Sequence, residues 1–345
     1  MKRIRIIACS GLMIFIILCS CISALAEWYI LKCYPIIAAV LSFFSRLTSY
    51  SLLDFLIFLA VIALLISIVL MFTKRLSFRR WIKKFMLSVI WIVIWFYMAW
   101  GIGYFRPDFF ERFDVEPPKE DREYFEQLVV RNIKLLNSAY IENPKFDIKE
   151  INSEIERLYE KRHIQLHLPY PCGWERTKKT IFEPLMTRMG VEGYFGPFFN
   201  EVHVNNFSLP VSYPFVLAHE KAHRFGIVSE AECNLYAAVI CTSSEYEPVR
   251  YSGYLQTVWY LLRNLNKISP NNYQTIVQQI DPRILQDYQA IRSHWQKGVN
   301  PTLSAAQSKV YDAYLKANKQ SSGILSYSEM TNLLVAWEQI APPCE

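Results

Sequence analysis

The sequence has little charge and few histidines. It also lacks the patterns typical of thiolate zinc sites and of nucleic-acid-binding proteins. Only 20% of its 345 residues are charged, and only six are histidines. None of the eight cysteines shows a CxxC spacing, which argues against a zinc site built from thiolates. The part after residue 105 has no basic stripe with interleaved aromatic residues, so nucleic-acid binding is not expected. We find no internal repeat and no low-complexity segment.

The hydrophobic residues, 52% of the chain, are concentrated near the N-terminus. Three uncharged stretches there reach the length of about 20 residues that a helix needs to cross a bilayer, at 6–26, 55–73 and 85–105. They contain almost no ionisable group, which argues against a channel or transporter. The first follows basic residues and holds a faint lipobox-like sequence at 18–21, so a cleaved signal is an alternative to the anchor that we favour. Residues 1–105 are therefore predicted to form a membrane module of three transmembrane helices.

The distribution of basic residues predicts how these helices are oriented. Three basic residues lie within 2–5 and six within the loop 74–84, whereas the loop 27–54 has only two. Strongly basic segments stay in the cytoplasm. We therefore expect the N-terminus and the 74–84 loop in the cytoplasm, and everything after about residue 106 outside it.

The rest of the chain is predicted to be a Pro-bearing, acidic connector at 106–121 and one soluble domain at 122–345. Apolar residues recur in this domain with a period near 3.6, which predicts helices. Residues 200–206 alternate in polarity and are predicted to form a short strand, whose edge would hold an extended peptide. The predicted helices are 119–141, 147–162, 176–188, 213–225, 229–243, 251–266 and a run over 271–339 with breaks at Pro270, Pro282 and Pro301. The domain should be mainly helical with a little sheet.

The strongest chemical signal is the pentapeptide His219-Glu220-Lys221-Ala222-His223. Two histidines at positions i and i+4 lie on one face of a helix, where both imidazoles can bind one metal ion. Zinc suits these donors, and Glu220 beside the first of them can take a proton from an attacking water. Gly226 is a natural stop for the helix. Lys221 is less apolar than expected within this motif, although its position can face solvent.

A third protein ligand is needed, and the next predicted helix offers two carboxylates. Glu232 is the preferred candidate, with Glu230 as the fallback. Ser229 and Glu232 also fit a capping box, in which the carboxylate reaches back to the start of its own helix. Spacing alone therefore leaves open whether Glu232 binds the metal or caps the helix. No histidine follows closely enough to take its place.

Several segments resemble a family of bacterial membrane proteins, the domain of unknown function 3810. The segments are WGIGYFRPDF at 100–109, NEVHVNN at 200–206, LAHEKAHRFG at 217–226, EAECNLYAAVIC at 230–241 and RYSGYL at 250–255. The family is assigned by similarity to zincin-like peptidases. The resemblance implies a zincin-like α+β domain outside the bacterial plasma membrane. It also favours Glu232 as the ligand, because Glu232-Cys233-Asn234 matches the family's pattern, with Cys233 in place of the usual alanine.

Other side chains are weaker candidates for the same site. Asn234 is predicted either to orient a metal ligand or to make a simple polar contact early in its helix. Tyr251 or Tyr254 is a candidate to stabilise an oxyanion, although structural packing is the better interpretation. Glu201 and His203, on the predicted strand, are candidates to line the cleft.

These observations predict a membrane-anchored zinc metallopeptidase that cleaves peptides or proteins of the cell envelope. A non-catalytic envelope module, in which Zn²⁺ only joins two helices through four protein ligands, is the alternative. Because the motif lies over a hundred residues beyond the last predicted span, the site is expected in water rather than in the bilayer. Disulfides are possible among Cys172, Cys233, Cys241 and Cys344 if they lie in an oxidising compartment. The substrate and the oligomeric state do not follow from the sequence.

Overall fold

The computed structural model describes residues 2–119, 121–142, 144–169, 176–318 and 329–341. The membrane module consists of five helices followed by a 3-10 turn at Gly101–Phe105. These helices are α1 (Lys2–Cys21), α2 (Ser23–Lys32), α3 (Tyr34–Ser45), α4 (Leu52–Phe72) and α5 (Phe78–Ala99). The helices α4 and α5 are long and apolar enough to cross a membrane, as the sequence predicts for the second and third spans.

The first predicted span is not one straight helix, which corrects the sequence-based expectation. The chain adopts an extended conformation at Ile22, and the axes of α1 and α2 differ by 115°. The helix α2 turns away because it has protein partners: Tyr29 and Ile30 are buried against the 3-10 turn, and Glu27 forms an ion pair with Arg106. The chain therefore has two membrane-spanning candidates, or three if the bent pair is one span.

The described part of the soluble region is mainly helical. Its helices are α6 (Phe109–Phe113), α7 (Arg122–Ala139), α8 (Ile148–Arg162), α9 (Glu183–Met189), α10 (Tyr213–Arg224), α11 (Glu230–Thr242), α12 (Glu247–Ile268), α13 (Pro270–Val277), α14 (Pro282–Gly298), α15 (Pro301–Ala317) and α16 (Glu329–Ile340). The three prolines at which breaks are predicted, Pro270, Pro282 and Pro301, are each the first residue of a helix. At that position the backbone N–H that proline lacks would have no partner within the helix. The predicted helix at 176–188 begins only at Glu183, because Lys179 instead pairs with Tyr50 in an isolated bridge.

The two strands form an antiparallel pair beside α10. Strand β2 (Glu201–Val204) confirms the predicted strand, and β1 (Gly193–Gly196) is its unpredicted partner, with Gly193 opposite Val204. Both strands contact α10. Cys172 and Cys344 lie outside the described residues. Every cysteine within the described residues is a free thiol.

One hydrophobic core holds the soluble helices together, with α10 and α11 at its centre. Phe109, from the segment predicted to be a connector, is buried in this core. A second cluster joins α2 and α3 to the end of α5, and it includes Val228 from the loop between α10 and α11. The loop 27–54 and the soluble region therefore lie on the same side of the spanning helices. Whether that side is outside the cytoplasm remains a prediction.

Candidate metal centre

The helix hairpin α10–α11 carries the residues of the predicted site. Pro214 lies in the first turn of α10, which extends through both motif histidines. Gly226 has a φ of +84°, a left-handed conformation that glycine adopts without strain, and it ends the hairpin's first arm as predicted. The side chain of Ser229 then caps α11 by accepting from the backbone N–H of Glu232. The tight turn therefore places the first residues of α11 opposite the motif.

The imidazoles of His219 and His223 converge with the carboxylate of Glu230. The Nε2 atom of His219 lies 3.2 Å from one oxygen of Glu230, and the Nε2 atom of His223 lies 3.4 Å from the other. The ligand atoms of the three side chains all lie within 4.8 Å of one another. It is the one group among the described residues in which at least three histidine, cysteine or acidic side chains come together in this way. Two imidazoles and one carboxylate match the protein ligands of a catalytic zinc ion.

Glu232, the carboxylate preferred from the sequence, does not belong to this group, whereas the fallback, Glu230, does. Glu232 forms a buried ion pair with Arg112. Two positions along a helix correspond to a rotation of roughly 200°, so Glu230 and Glu232 face nearly opposite directions. The partner of Glu232 comes from α6, within the segment predicted to be a connector, and local spacing carries no sign of it.

The outer nitrogen of each imidazole is held by an acceptor from the same hairpin. The Nδ1 atom of His219 lies 2.8 Å from Oδ1 of Asn234, and that of His223 lies 2.8 Å from the carbonyl oxygen of Ile227. Such contacts fix the ring so that Nε2 is the nitrogen presented to a metal. Asn234 therefore occupies the orienting position that the sequence suggests. The hydroxyl of Tyr260 donates to the same Oδ1 atom.

Glu220 lies beside this group but does not belong to it. Its carboxylate is buried, and its Oε2 atom has no hydrogen-bond partner among the described residues. Burial raises the pKa of Glu220 to about 7, although His219 and His223 act in the opposite direction. A β-carbon placed on Gly193 would lie only 2.8 Å from Oε1 of Glu220. The absence of a side chain at Gly193 therefore allows strand β1 to approach this carboxylate closely.

The electrostatics of the three converging side chains favour a cation between them. Burial opposes the charge of Glu230, but His223 and His219 hold its pKa well below the usual range. Burial likewise opposes the charge of His223, while Cys233 and Glu230 raise the pKa of its imidazole well above the usual range. Positive charge is thus stabilised beside Glu230, by a proton in the absence of a metal.

Cys233 contacts His223 on the side of the imidazole ring that faces away from Glu230. Its Sγ atom lies 3.3 Å from Nδ1 of His223, the nitrogen that points away from Glu230. Burial raises the pKa of the Cys233 thiol to about 12, so the thiol stays protonated at neutral pH. The substitution that distinguishes this chain from the usual family pattern therefore does not add a ligand.

Three residues that sequence reasoning missed lie near the centre. The hydroxyl of Tyr311, in α15, donates to the Oε1 atom of Glu230. The hydroxyls of Tyr104 and Tyr314 form a hydrogen bond of 3.0 Å, and the two rings pack edge to face with centroids 6.2 Å apart. No local pattern marks Tyr311 or Tyr314. Tyr104 lies within a segment that resembles the family, which is the only sequence signal for it.

Tyr251 and Tyr254 make structural contacts, in agreement with the interpretation preferred from the sequence. The hydroxyl of Tyr251 donates to Asp287, and Tyr254 packs against the hydrophobic core. Lys221, at a position that can face solvent, is instead fully buried and pairs with Glu156. A burial of this kind has no signature in the spacing of the motif.

The strand residues proposed to line the cleft are also buried. Glu201 accepts hydrogen bonds from the backbone N–H groups of Leu52 and Leu53, at 2.9 and 3.3 Å, and so caps α4. His203 stacks on Tyr194 with ring centroids 4.0 Å apart, and burial lowers its pKa to about 3. Neither residue belongs to the converging group.

Comparison with known proteins finds one family. The family described as "Protein of unknown function (DUF3810)" matches residues 29–335. No curated protein and no solved structure matches the chain.

Proposed function

The chain belongs to the family of proteins of unknown function DUF3810, and we propose that it is a membrane-anchored zinc metallopeptidase. The observation that carries the proposal is the convergence of His219, His223 and Glu230, with Glu220 beside them. These side chains have the identities and the arrangement that metal-dependent hydrolysis of an amide requires.

In the proposed reaction, zinc when bound supplies a Lewis acid and lowers the pKa of the attacking water. Glu220 accepts a proton from that water, and its unpaired, buried oxygen supports this role. Glu220 then delivers the proton to the leaving nitrogen. The hydroxyl of Tyr311, which contacts Glu230, is the proposed donor to the oxyanion of the tetrahedral intermediate.

The substrate is proposed to bind along strand β1 as an additional strand. Strand β2 already has partners on both sides, since β1 pairs with one edge and Lys178 donates to Val202 on the other. In the two-stranded sheet of the described residues, β1 is therefore the strand whose outer edge can pair with an additional strand. Main-chain pairing there would hold a peptide beside Glu220, whose side chain approaches Gly193.

A structural zinc site is the alternative, and it requires a fourth protein ligand. The described residues supply a group of three. The thiol of Cys233 contacts Nδ1 of His223, the nitrogen that points away from Glu230, and so it does not join this group as a fourth ligand. A set of three protein ligands favours catalysis over a purely structural ion.

The metal centre is proposed to lie outside the cytoplasm, in the envelope of a bacterial cell, with the N-terminus inside. The basic loop 74–84 and the contact between the loop 27–54 and the soluble region support this orientation. A C-terminal fusion to alkaline phosphatase, which is active only after export, should be active. Activity of a cytoplasmic reporter fused at the same point would reverse the orientation.

The experiment that tests the peptidase proposal uses the full-length chain, purified in detergent and supplied with zinc. A mixture of peptides of varied sequence is incubated with the wild type and with Glu220→Gln, and products are identified by mass spectrometry. We expect cleavage by the wild type only, while both proteins bind zinc. Zinc binding without any cleavage by the wild type would favour the structural alternative.

A further inference from the structure

The helix α3 carries an apolar stripe that no described part of the chain covers. The stripe follows a helical period, and Leu47, two residues beyond the end of α3, extends it: Ile36, Val40, Phe43, Phe44 and Leu47 are 67%, 53%, 63%, 52% and 75% exposed. No charged residue lies between Tyr34 and Ser45. Exposed apolar patches of this kind mark a binding surface for protein or lipid.

The opposite face of α3 supports the metal centre. The hydroxyl of Tyr34 donates to the carbonyl oxygen of Arg224, in the last turn of α10, at 2.6 Å. Ser42 accepts from the side-chain amide of Asn200, which precedes strand β2, at 2.7 Å. Tyr34 and Ser42 are both buried, so one helix separates the apolar stripe from the motif helix.

The bilayer is the occupant that the rest of the chain indicates for the stripe. The helix α3 has 12 residues and is about 18 Å long, too short to cross a hydrocarbon core of about 30 Å. It ends seven residues before α4, a candidate span in which Asp54 is the one buried residue. Lys32 and Arg46 flank α3 and are exposed, as suits contact with anionic headgroups. The stripe thus lies close along the chain to a helix that is long and apolar enough to cross a membrane.

We infer that α3 lies in the membrane interface and holds the metal centre about one helix diameter, ~10 Å, from the bilayer. The substrate would then be a polypeptide held in or on the same membrane, with its scissile bond close to the membrane surface. The placement of α3 stands on geometry alone, whereas the substrate class rests on the proposed peptidase activity.

Contacts at the end of α5 support this substrate class. The ring of Trp100, which directly follows α5, lies 5.8 Å from the ring of His223 and 5.6 Å from that of Phe195. Phe195 belongs to β1, the proposed binding strand. A peptide on that edge therefore lies next to the end of a span. Since an extended chain covers about 3.3 Å per residue, a bond roughly three to five residues from the membrane would reach the centre.

Lipid labelling tests the placement of α3. The full-length protein is reconstituted in vesicles of phosphatidylethanolamine and phosphatidylglycerol that contain a phospholipid with a photoactivatable acyl chain. After illumination, mass spectrometry should locate adducts on Ile36, Val40 or Phe43, as well as on α4. Val310, which is 72% exposed on α15 of the soluble region, is the matched control and should carry none. Labelling of α4 without labelling of α3 would overturn the inference.

A pair of anchored peptides tests the substrate class. Both carry one acyl chain and the same cleavable sequence, found with the peptide mixture described above. They differ in a Gly/Ser spacer, which is either absent or roughly 20 residues long and so reaches ~25 Å from the surface. Both peptides are recruited to the vesicle to the same extent. A cleavage rate at least about tenfold higher for the peptide without the spacer would therefore show that the substrate is cleaved close to the membrane surface.

Equal cleavage of the two peptides, or faster cleavage of the long one, would overturn the membrane-held substrate. Glu220→Gln measures cleavage that does not depend on the proposed base. If neither the mixture nor the anchored peptides are cleaved, the peptidase proposal fails and the substrate class fails with it. The lipid-labelling result would still decide the position of α3.

Discussion

The indole Nε1 of Trp100 donates a hydrogen bond of 2.8 Å to the backbone carbonyl of His223. Trp100 immediately follows the candidate span α5, and His223 is one of the two motif histidines. The hydrogen bond is buried, so it fixes the end of the motif helix to the membrane module. The candidate metal centre therefore packs directly against the predicted membrane module and is not connected to it only by a linker.

Glu230 and Glu232 can be distinguished by matched substitutions. We expect Glu230→Gln to lose most of its zinc affinity, because Glu230 is the carboxylate that faces both imidazoles. Glu232→Gln should keep zinc but lose stability, by about 3–5 kcal/mol, because Arg112 would be left buried without its partner. Metal analysis and thermal unfolding measure the two effects. The reverse pattern would restore Glu232 as the ligand.

Gly193→Ala should reduce hydrolysis while zinc stays bound. The new β-carbon would lie 2.8 Å from Oε1 of Glu220 and 2.9 Å from the carbonyl oxygen of His203, so the carboxylate must move. A displaced general base loses on the order of 10²-fold or more in rate. Gly196→Ala, on the same strand, is the control, because its nearest contact would be an ordinary 3.6 Å. Equal rates for the two variants would show that Glu220 is not constrained by β1.

Tyr311→Phe should lower the turnover number by roughly 10²-fold with little change in zinc content, if its hydroxyl stabilises the oxyanion. Only the hydroxyl that contacts Glu230 is removed. Tyr254→Phe, which alters a tyrosine packed against the core, should have an unchanged rate. Steady-state kinetics on any cleaved peptide decide the matter, and a full rate for Tyr311→Phe would leave this tyrosine a structural role.

His203 should make the protein sensitive to acid. Burial lowers the pKa of its imidazole to about 3, from about 6.5 in an unfolded chain, so the folded state favours the neutral ring. The contribution of His203 to the free energy of unfolding is therefore at its maximum above about pH 6.5. It decreases as the pH falls below that value, because the unfolded chain then binds a proton that the folded chain does not. Between about pH 7.5 and pH 5 the loss is about 2 kcal/mol.

Thermal unfolding at those two pH values checks this expectation. His203→Phe keeps an aromatic ring on Tyr194 and removes the titrating group. Its unfolding temperature should depend less on pH than that of the wild type. The same pH dependence in both proteins would assign the acid sensitivity to other groups.

Local patterns in the sequence predicted the elements that depend on neighbouring residues. The motif helix, its end at Gly226 and strand β2 all follow from residues within a few positions of each other. The choice between Glu230 and Glu232 depends instead on Arg112, about 120 positions away, and the burial of Lys221 depends on Glu156. Likewise, the bend at Ile22 reflects contacts with the 3-10 turn after α5, which an apolar run cannot reveal.

The zinc coordination of the full-length protein tests the central claim most directly. X-ray absorption at the zinc edge distinguishes nitrogen and oxygen ligands at about 2.0–2.2 Å from sulfur at about 2.3 Å. We expect one zinc ion per chain with two imidazoles, one carboxylate and a further light ligand, and none of these signals in His219→Ala. A sulfur ligand, or a wild-type protein that binds no zinc, would contradict the account.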